Sequence, residues 1–333
     1  MMKMGDLKNG AREAVVNCLK LSKGERIVII TDLETLEISV SLLNEAKNIT
    51  DKIKFFIVED FQARPLNVLP EDIVNALNSS QVGILAMQGR EGELENFRRP
   101  LLSLINKSGI RFANMINISQ SIMEEGMNAR YKEIKKFSKK VFDIVKDSKQ
   151  ITVKTCEGTD LNVEFDPSIK WVLSDGDINP GDWKNLPDGE VFTCPSNVNG
   201  TAVIDGVLGD HFSKKFGLLN NFPLFLKIRD SFVVEAKCKN KNLEADFLAK
   251  LKTDENASRI GEFAIGTNLF IKELIGNMIQ DEKFPGVHIA FGNGYPEKTG
   301  SNCHSKIHID GVIRNPEVIV DGQTIMRNGG FVI

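Results

Sequence analysis

Lys306-Ile307-His308-Ile309-Asp310 alternates polar and apolar residues without a break. Read as a strand, the pattern turns Ile307 and Ile309 to one face and His308 with Asp310 to the other. An imidazole beside a carboxylate on a rigid strand is half of a metal site. Upstream, GVHIAFG repeats the design, with Val287, Ile289 and Phe291 on one face and His288, Ala290 and Gly292 on the other. RIGEFAIG places Glu262 on a face with Ile260, Ala264 and Gly266, and NLPDGEVFTCP carries Glu190 where a turn enters a strand. A carboxylate on a buried face costs several kcal/mol unless it is paired or holds a metal. Converged, these segments supply Glu190, Glu262, His288, His308 and Asp310. Three carboxylates and two imidazoles exceed what one tetrahedral zinc takes and suit two divalent cations sharing a bridging carboxylate.

Each residue also has a plainer explanation. Glu190 alone reads equally as an exposed edge residue, and a lone buried histidine is most often hydrogen-bonded in a core. The His-x-Asp pair, with a second histidine twenty residues earlier, shifts the balance to ligands. Tyr295, in the glycine-flanked turn GNGYP, is either a ring packed beneath a loop or a phenol donating to a developing oxyanion. Arg259 could orient a substrate carboxylate, although a surface role is the simpler expectation. His304 follows Gly300-Ser301-Asn302 and reads as a loop residue supporting the site or solvated, and His211 has an ordinary loop context. Cys194 and Cys303 are soft ligands with no partner at ligand spacing.

The elements that must position these groups lie in the second half of 333 residues, a length that favours two domains. Residues 1–150 alternate strand-like runs (RIVIITD, IKFFIVED, VGILAMQG, IRFANMIN) with helical ones, which predicts an α/β domain with a parallel sheet. A charged helix over roughly 128–148 closes it, with Phe137, Val141, Phe142 and Val145 inward. Residues 151–333 read as a β-rich α+β domain: hairpins turn at Glu157-Gly158-Thr159-Asp160 and at Asp321-Gly322, and NLEADFLAKLK is a helix. Neither G-x-G-x-x-G after the first strand nor a phosphate-binding P-loop motif occurs, so nucleotide binding by those loops has no support. Net charge −3 with interspersed signs gives no reason to invoke nucleic acid or an anionic membrane. Five scattered cysteines without a C-x-x-C pair, and no apolar run near ~20 residues, predict a cytoplasmic protein with reduced thiols.

Taken in order, NLPDGEVFTCP, GEFAIGTN, HIAFGNGYP, SKIHIDGVI and a terminal VDGQTIMRNGG resemble the metal-dependent aminopeptidases typified by aminopeptidase T, aminopeptidase S and PepS. The resemblance covers most of residues 180–333, and its specificity lies in the ordered set. It implies that Glu190, Glu262, His288, His308 and Asp310 bind a pair of divalent ions, zinc, cobalt or manganese, and that Tyr295 takes part in catalysis. It further implies a homodimer that hydrolyses N-terminal residues from peptides, with Glu190 or Glu262 bridging the metals or acting as base. Two departures stand out: the chain is shorter than the well-known members, and the segment between His288 and His308 looks shortened. A second branch of that superfamily, the 2,5-dihydroxypyridine dioxygenases, uses one iron held by two histidines and an aspartate. His288, His308 and Asp310 would satisfy that triad, but it leaves Glu190 and Glu262 as two buried carboxylates without a role. A metal-binding module without catalysis, its ions closed off from substrate, is the remaining alternative.

Overall fold

The computed structural model describes residues 5–333. The chain divides into two compact units. One holds the described residues up to Lys135 together with Gly176–Asp188, and the other holds Lys136–Asp175 and Gly189–Ile333.

In the first unit a parallel sheet runs in the order Ile53–Ile57, Ile27–Thr31, Val82–Met87, Arg111–Ile116, Trp183–Asn185. Ile27–Thr31 and Val82–Met87 are buried at every position. Strands covered on both faces by helices read as unbroken apolar runs, which is why IVIIT and VGILAM were legible. Helices Leu36–Lys47, Glu71–Asn78 and Arg99–Ser108 fill the crossovers. The fifth strand comes from inside the stretch whose composition is β-rich. Three residues in a Pro- and Gly-flanked segment show no periodicity, and the backbone of Arg111–Ile116 pairs with them all the same. Asn114 Nδ2 donates to Asn185 Oδ1 at 2.7 Å, and Leu186 N donates to the Asn114 carbonyl at 3.0 Å.

Beside the ends of these strands lies a buried ionic cluster. Arg64 pairs with Asp32 and Glu93, both fully buried. Asp32 also accepts from Thr35 N, Thr35 Oγ1 and Gln88 N, while Glu93 accepts from Leu66 N and Arg90 N.

The second unit is built from two antiparallel sheets. Eight strands run in the order Phe232–Cys238, Leu224–Arg229, Asn197–Ile204, Asp160–Glu164, Gln150–Lys154, Glu317–Val320, Gln323–Arg327, Gly330–Phe331. Five more run His308–Ile313, Gly286–Gly292, Ile260–Gly266, Glu190–Thr193, Val172–Ser174. Both expected hairpins are present, 150–164 and 317–327. A single core joins the sheets: Ile151, Val153, Val198 and Ile204 from the first meet Phe263, Ile265, Ile289 and Phe291 from the second. At Gly311 the sheets come so close that a Cβ would lie 3.0 Å from Ile204. Helix Lys241–Lys250, capped by Asn240 Oδ1, sets Phe247 against Phe291 with ring centroids 5.0 Å apart. The charged helix, Tyr131–Val145, belongs to this unit from Lys136 onward, and Val141 and Val145 are buried in its core rather than closing the parallel sheet. Among the described residues, no helix is long and apolar enough to cross a membrane.

Candidate metal centre

Antiparallel pairing brings the singled-out residues to one face of the five-stranded sheet. Glu262 lies opposite Ala290, Ala264 opposite His288, Ala290 opposite Asp310, Gly292 opposite His308, and Gly266 opposite Glu190. Odd-numbered neighbours on these strands, Phe263, Ile265, Ile289, Phe291 and Ile309, enter the core. The pattern of period two therefore does what the sequence implied: it buries one face and dedicates the other. Ile260 departs from it. The strand bulges between Ile260 and Glu262, so Ile260 pairs with Phe291 and joins the core instead of sharing the Glu262 face. Gly261 makes the bulge sterically allowable, because a Cβ there would sit 2.1 Å from the Gly292 carbonyl oxygen.

Ligand atoms of Glu262, His288 and Asp310 lie within 4.8 Å of one another. His288 Nε2 stands 3.4 Å from Glu262 Oε1 and 3.4 Å from Glu190 Oε2. Glu190 Oε2 is buried without a hydrogen-bond partner, an arrangement that costs roughly 1–3 kcal/mol or more for a charged group unless a cation meets it. His308 Nε2 is 3.1 Å from Asp310 Oδ1, and its Nδ1 is 2.9 Å from the Asn293 carbonyl. A backbone carbonyl that accepts a hydrogen bond from Nδ1–H leaves Nε2 as the ligating nitrogen, the usual support of a metal-bound histidine. This donor set of carboxylates and imidazoles fits a divalent transition metal.

Two further charged residues complete the site. Lys283, 2% exposed, places Nζ 2.6 Å from Glu190 Oε1 and 2.8 Å from Glu282 Oε1. They follow the short helix Met278–Asp281, and Asp281 ties down the preceding loop by accepting from Ile275, Gly276 and Asn277 N–H groups. In the sequence, Asp281-Glu282-Lys283 is a charged run before a strand, indistinguishable from a solvated turn. Only its sixfold spacing ahead of His288, across Pro285-Gly286, could have drawn notice.

Electrostatics within the cluster are severe. Burial opposes charge on His288, yet contact with Glu262 and the charges of Glu190 and Asp310 hold its imidazole up at about 9. For His308, burial is likewise outweighed, chiefly by Asp310, and the result is about 10. Burial would raise Asp310, but His308, then His288 and Lys283, hold it down at about 2. Glu282 is pushed up to about 8 by burial, with Lys283 opposing and Asp310 and Glu190 adding to the rise. The imidazoles are drawn into holding protons because four carboxylates outnumber the one ammonium among them.

Tyr295 adopts a left-handed backbone conformation, φ 49°, of the kind that costs a non-glycine residue of order 1 kcal/mol and clusters at functional sites. Its carbonyl accepts from Lys298 N and Thr299 N, and its ring lies 4.7 Å from His308 and 5.8 Å from Phe192. Burial, then the charges of Glu262, Asp310, Glu282 and Glu190, raise its hydroxyl well above the ordinary value, so it keeps its proton and can donate. His304 and His211 are exposed. Cys194 and Cys303, distant in sequence, contact each other beside Arg259, and the bond from Cys194 lowers the Cys303 thiol to about 7 against the effect of burial.

A sequence model of the thermophilic metalloproteases, M29, matches residues 107–331. The chain belongs to this family. Its M29 fold is similar to wild-type AmpT from Thermus thermophilus, with a TM-score of 0.75 at 18% identity over 98% of this chain and 99% of that one. It is also similar to 2,5-dihydroxypyridine dioxygenase from Pseudomonas putida KT2440, with a TM-score of 0.71 at 14% identity over 100% and 98% of the two chains. At these identities the likenesses speak to the fold. No curated protein matches the sequence. M29 membership makes the chain a metallopeptidase, a hydrolase of the metal-dependent class.

Proposed function

We propose that this M29 protein is a metal-dependent aminopeptidase whose catalytic cation is held by Glu262, His288 and Asp310, with Glu190 and His308 completing the shell. The observation that carries it is the convergence of those three ligand atoms within 4.8 Å on one sheet face. A divalent cation held there would supply Lewis acidity, which polarises a peptide carbonyl and lowers the pKa of water towards ~7. Glu190 and Glu262 flank the position, each 3.4 Å from His288 Nε2, and one of the two would take up the proton that the water gives up. Tyr295, held in its protonated form, donates a hydrogen bond to the oxyanion that forms when the carbonyl is attacked. The sequence suggested two ions at one centre. A second would draw on Glu190 and Glu282, the carboxylates that hold Lys283.

The experiment is release of the N-terminal residue from short peptides by purified protein supplied with zinc, cobalt or manganese. Activity is expected on free N-termini, to be abolished by chelation, and to return with the metal. Undiminished hydrolysis after chelation would overturn the reading, as would oxygen uptake and ring cleavage of a dihydroxypyridine with iron in place of peptide hydrolysis.

A further inference from the structure

Lys283 is an unusual residue to find in a metal centre. An ammonium taken out of water costs several kcal/mol unless carboxylates surround it, and at 2% exposure Lys283 has left water almost entirely. Its Nζ lies between Glu190 Oε1 at 2.6 Å and Glu282 Oε1 at 2.8 Å. Resting on the metallopeptidase reading above, we infer that Lys283 is a built-in cation that takes the place of a second metal ion, making the centre mononuclear.

Three observations carry this inference. A divalent ion bound to carboxylate oxygens lies roughly 2.0–2.2 Å from each. Any ion bridging Glu190 Oε1 and Glu282 Oε1 would therefore occupy the space the ammonium fills, and the two positive charges would repel at contact distance. The backbone of Lys283 is also fixed, and at 2% exposure its side chain has almost no solvent to turn into. Its N–H donates to the Gln280 carbonyl at 2.9 Å and its carbonyl accepts from Asn268 N at 3.0 Å, so the backbone that aims the side chain is pinned on both sides. Finally, the two oxygens of Glu190 are divided between two tasks. Oε1 is held by the ammonium, while Oε2 is buried, without a hydrogen bond, and directed to His288 Nε2. Glu190 is thus oriented as a bridging carboxylate would be, with a metal position on one oxygen and the lysine on the other.

Charge points the same way. Counted formally, with every carboxyl ionised and both imidazoles neutral as metal ligands would be, Glu190, Glu262, Glu282 and Asp310 carry four negative charges against one on Lys283. One divalent ion reduces the excess to a single negative charge. A second would carry the sum, Lys283 included, past neutrality to a single positive charge, so charge balance calls for no second ion.

Metal-free protein titrated with Zn²⁺ or Co²⁺, read both by calorimetry and by metal analysis after gel filtration, tests this directly. The natural chain is expected to bind one ion, and Lys283→Gln is expected to bind two. Two ions on the natural chain would overturn the inference and leave the metallopeptidase reading intact. No ion on the natural chain would sink both. One ion on each would overturn the role of Lys283, because something else would then be excluding the second. Should Lys283→Gln not fold without metal, it can be refolded in excess Zn²⁺ and its ions counted, with the same two outcomes. The natural chain's stoichiometry needs no variant at all.

Discussion

Each unit of this protein buries a knot of charge, and the two knots are built on opposite principles. In the first, Arg64 lies between Asp32 and Glu93, and the same two carboxylates also accept from Thr35, Gln88, Leu66 and Arg90. Every lone pair that matters has a partner supplied by the chain itself. The second gathers four carboxylates, two imidazoles and one lysine, and leaves Glu190 Oε2 buried with no hydrogen bond. A balanced cluster holds loops in place. An unbalanced one, with its imidazoles pushed up to about 9 and 10 by surplus negative charge, is the kind of cluster that a cation would complete.

Several experiments would break or sharpen that contrast. The largest effect is expected from Glu262→Gln, which removes a proposed ligand from the unbalanced knot: metal binding should be lost and peptide turnover should fall by ~10³-fold or more. Tyr295→Phe provides the control, since it should retain the metal while turnover drops ~10²-fold through loss of the oxyanion donor. A Glu262→Gln protein with full metal content and normal turnover would show that the trio is not the centre.

Next comes Arg64→Ala in the balanced knot, which strands Asp32 and Glu93 as uncompensated charges. A loss of about 3–5 kcal/mol in denaturant unfolding of the first unit is expected, with metal stoichiometry unchanged. A change of less than ~1 kcal/mol would mean that this cluster does not hold the first unit together as argued.

The smallest effect is the pH dependence of the same cluster. Burial alone would raise Glu93, but the Arg64 bonds and the Leu66 N–H outweigh it and hold its carboxyl below the ordinary range. A depressed folded-state pKa contributes stability that is fully present above the unfolded value, ~4.3, and is lost as pH falls through the folded value. First-unit stability should therefore decline below about pH 4, and the decline attributable to Glu93 should vanish in Glu93→Gln. An identical acid profile in that variant would remove Glu93 from the account.

Much of this was readable from one chain because period-two alternation is a local property. KIHID, GVHIAFG and EFAIG each state which side chains share a face, and Glu190, Glu262, His288, His308 and Asp310 do meet where those faces meet. Unbroken apolar runs gave away the parallel strands for the same reason. Ile260 leaves the face that alternation assigns it because a bulge at Gly261 shifts the register by one residue, and nothing in RIGEFAIG marks the insertion. Trp183–Asn185 has no pattern of its own, since an edge strand of three residues is defined by its neighbour's backbone.

What the sequence determined by itself, then, was the identity of the strands and the chemistry that each one presents. What only the tertiary structure decided was company: that Lys283 would be buried between Glu190 and Glu282, that Cys194 would touch Cys303, and that residues 176–188 would return to the first unit's sheet. The physical reason is that facing follows from backbone periodicity over a few residues. The charge balance of a buried site depends on side chains delivered by turns, whose direction no short-range pattern encodes.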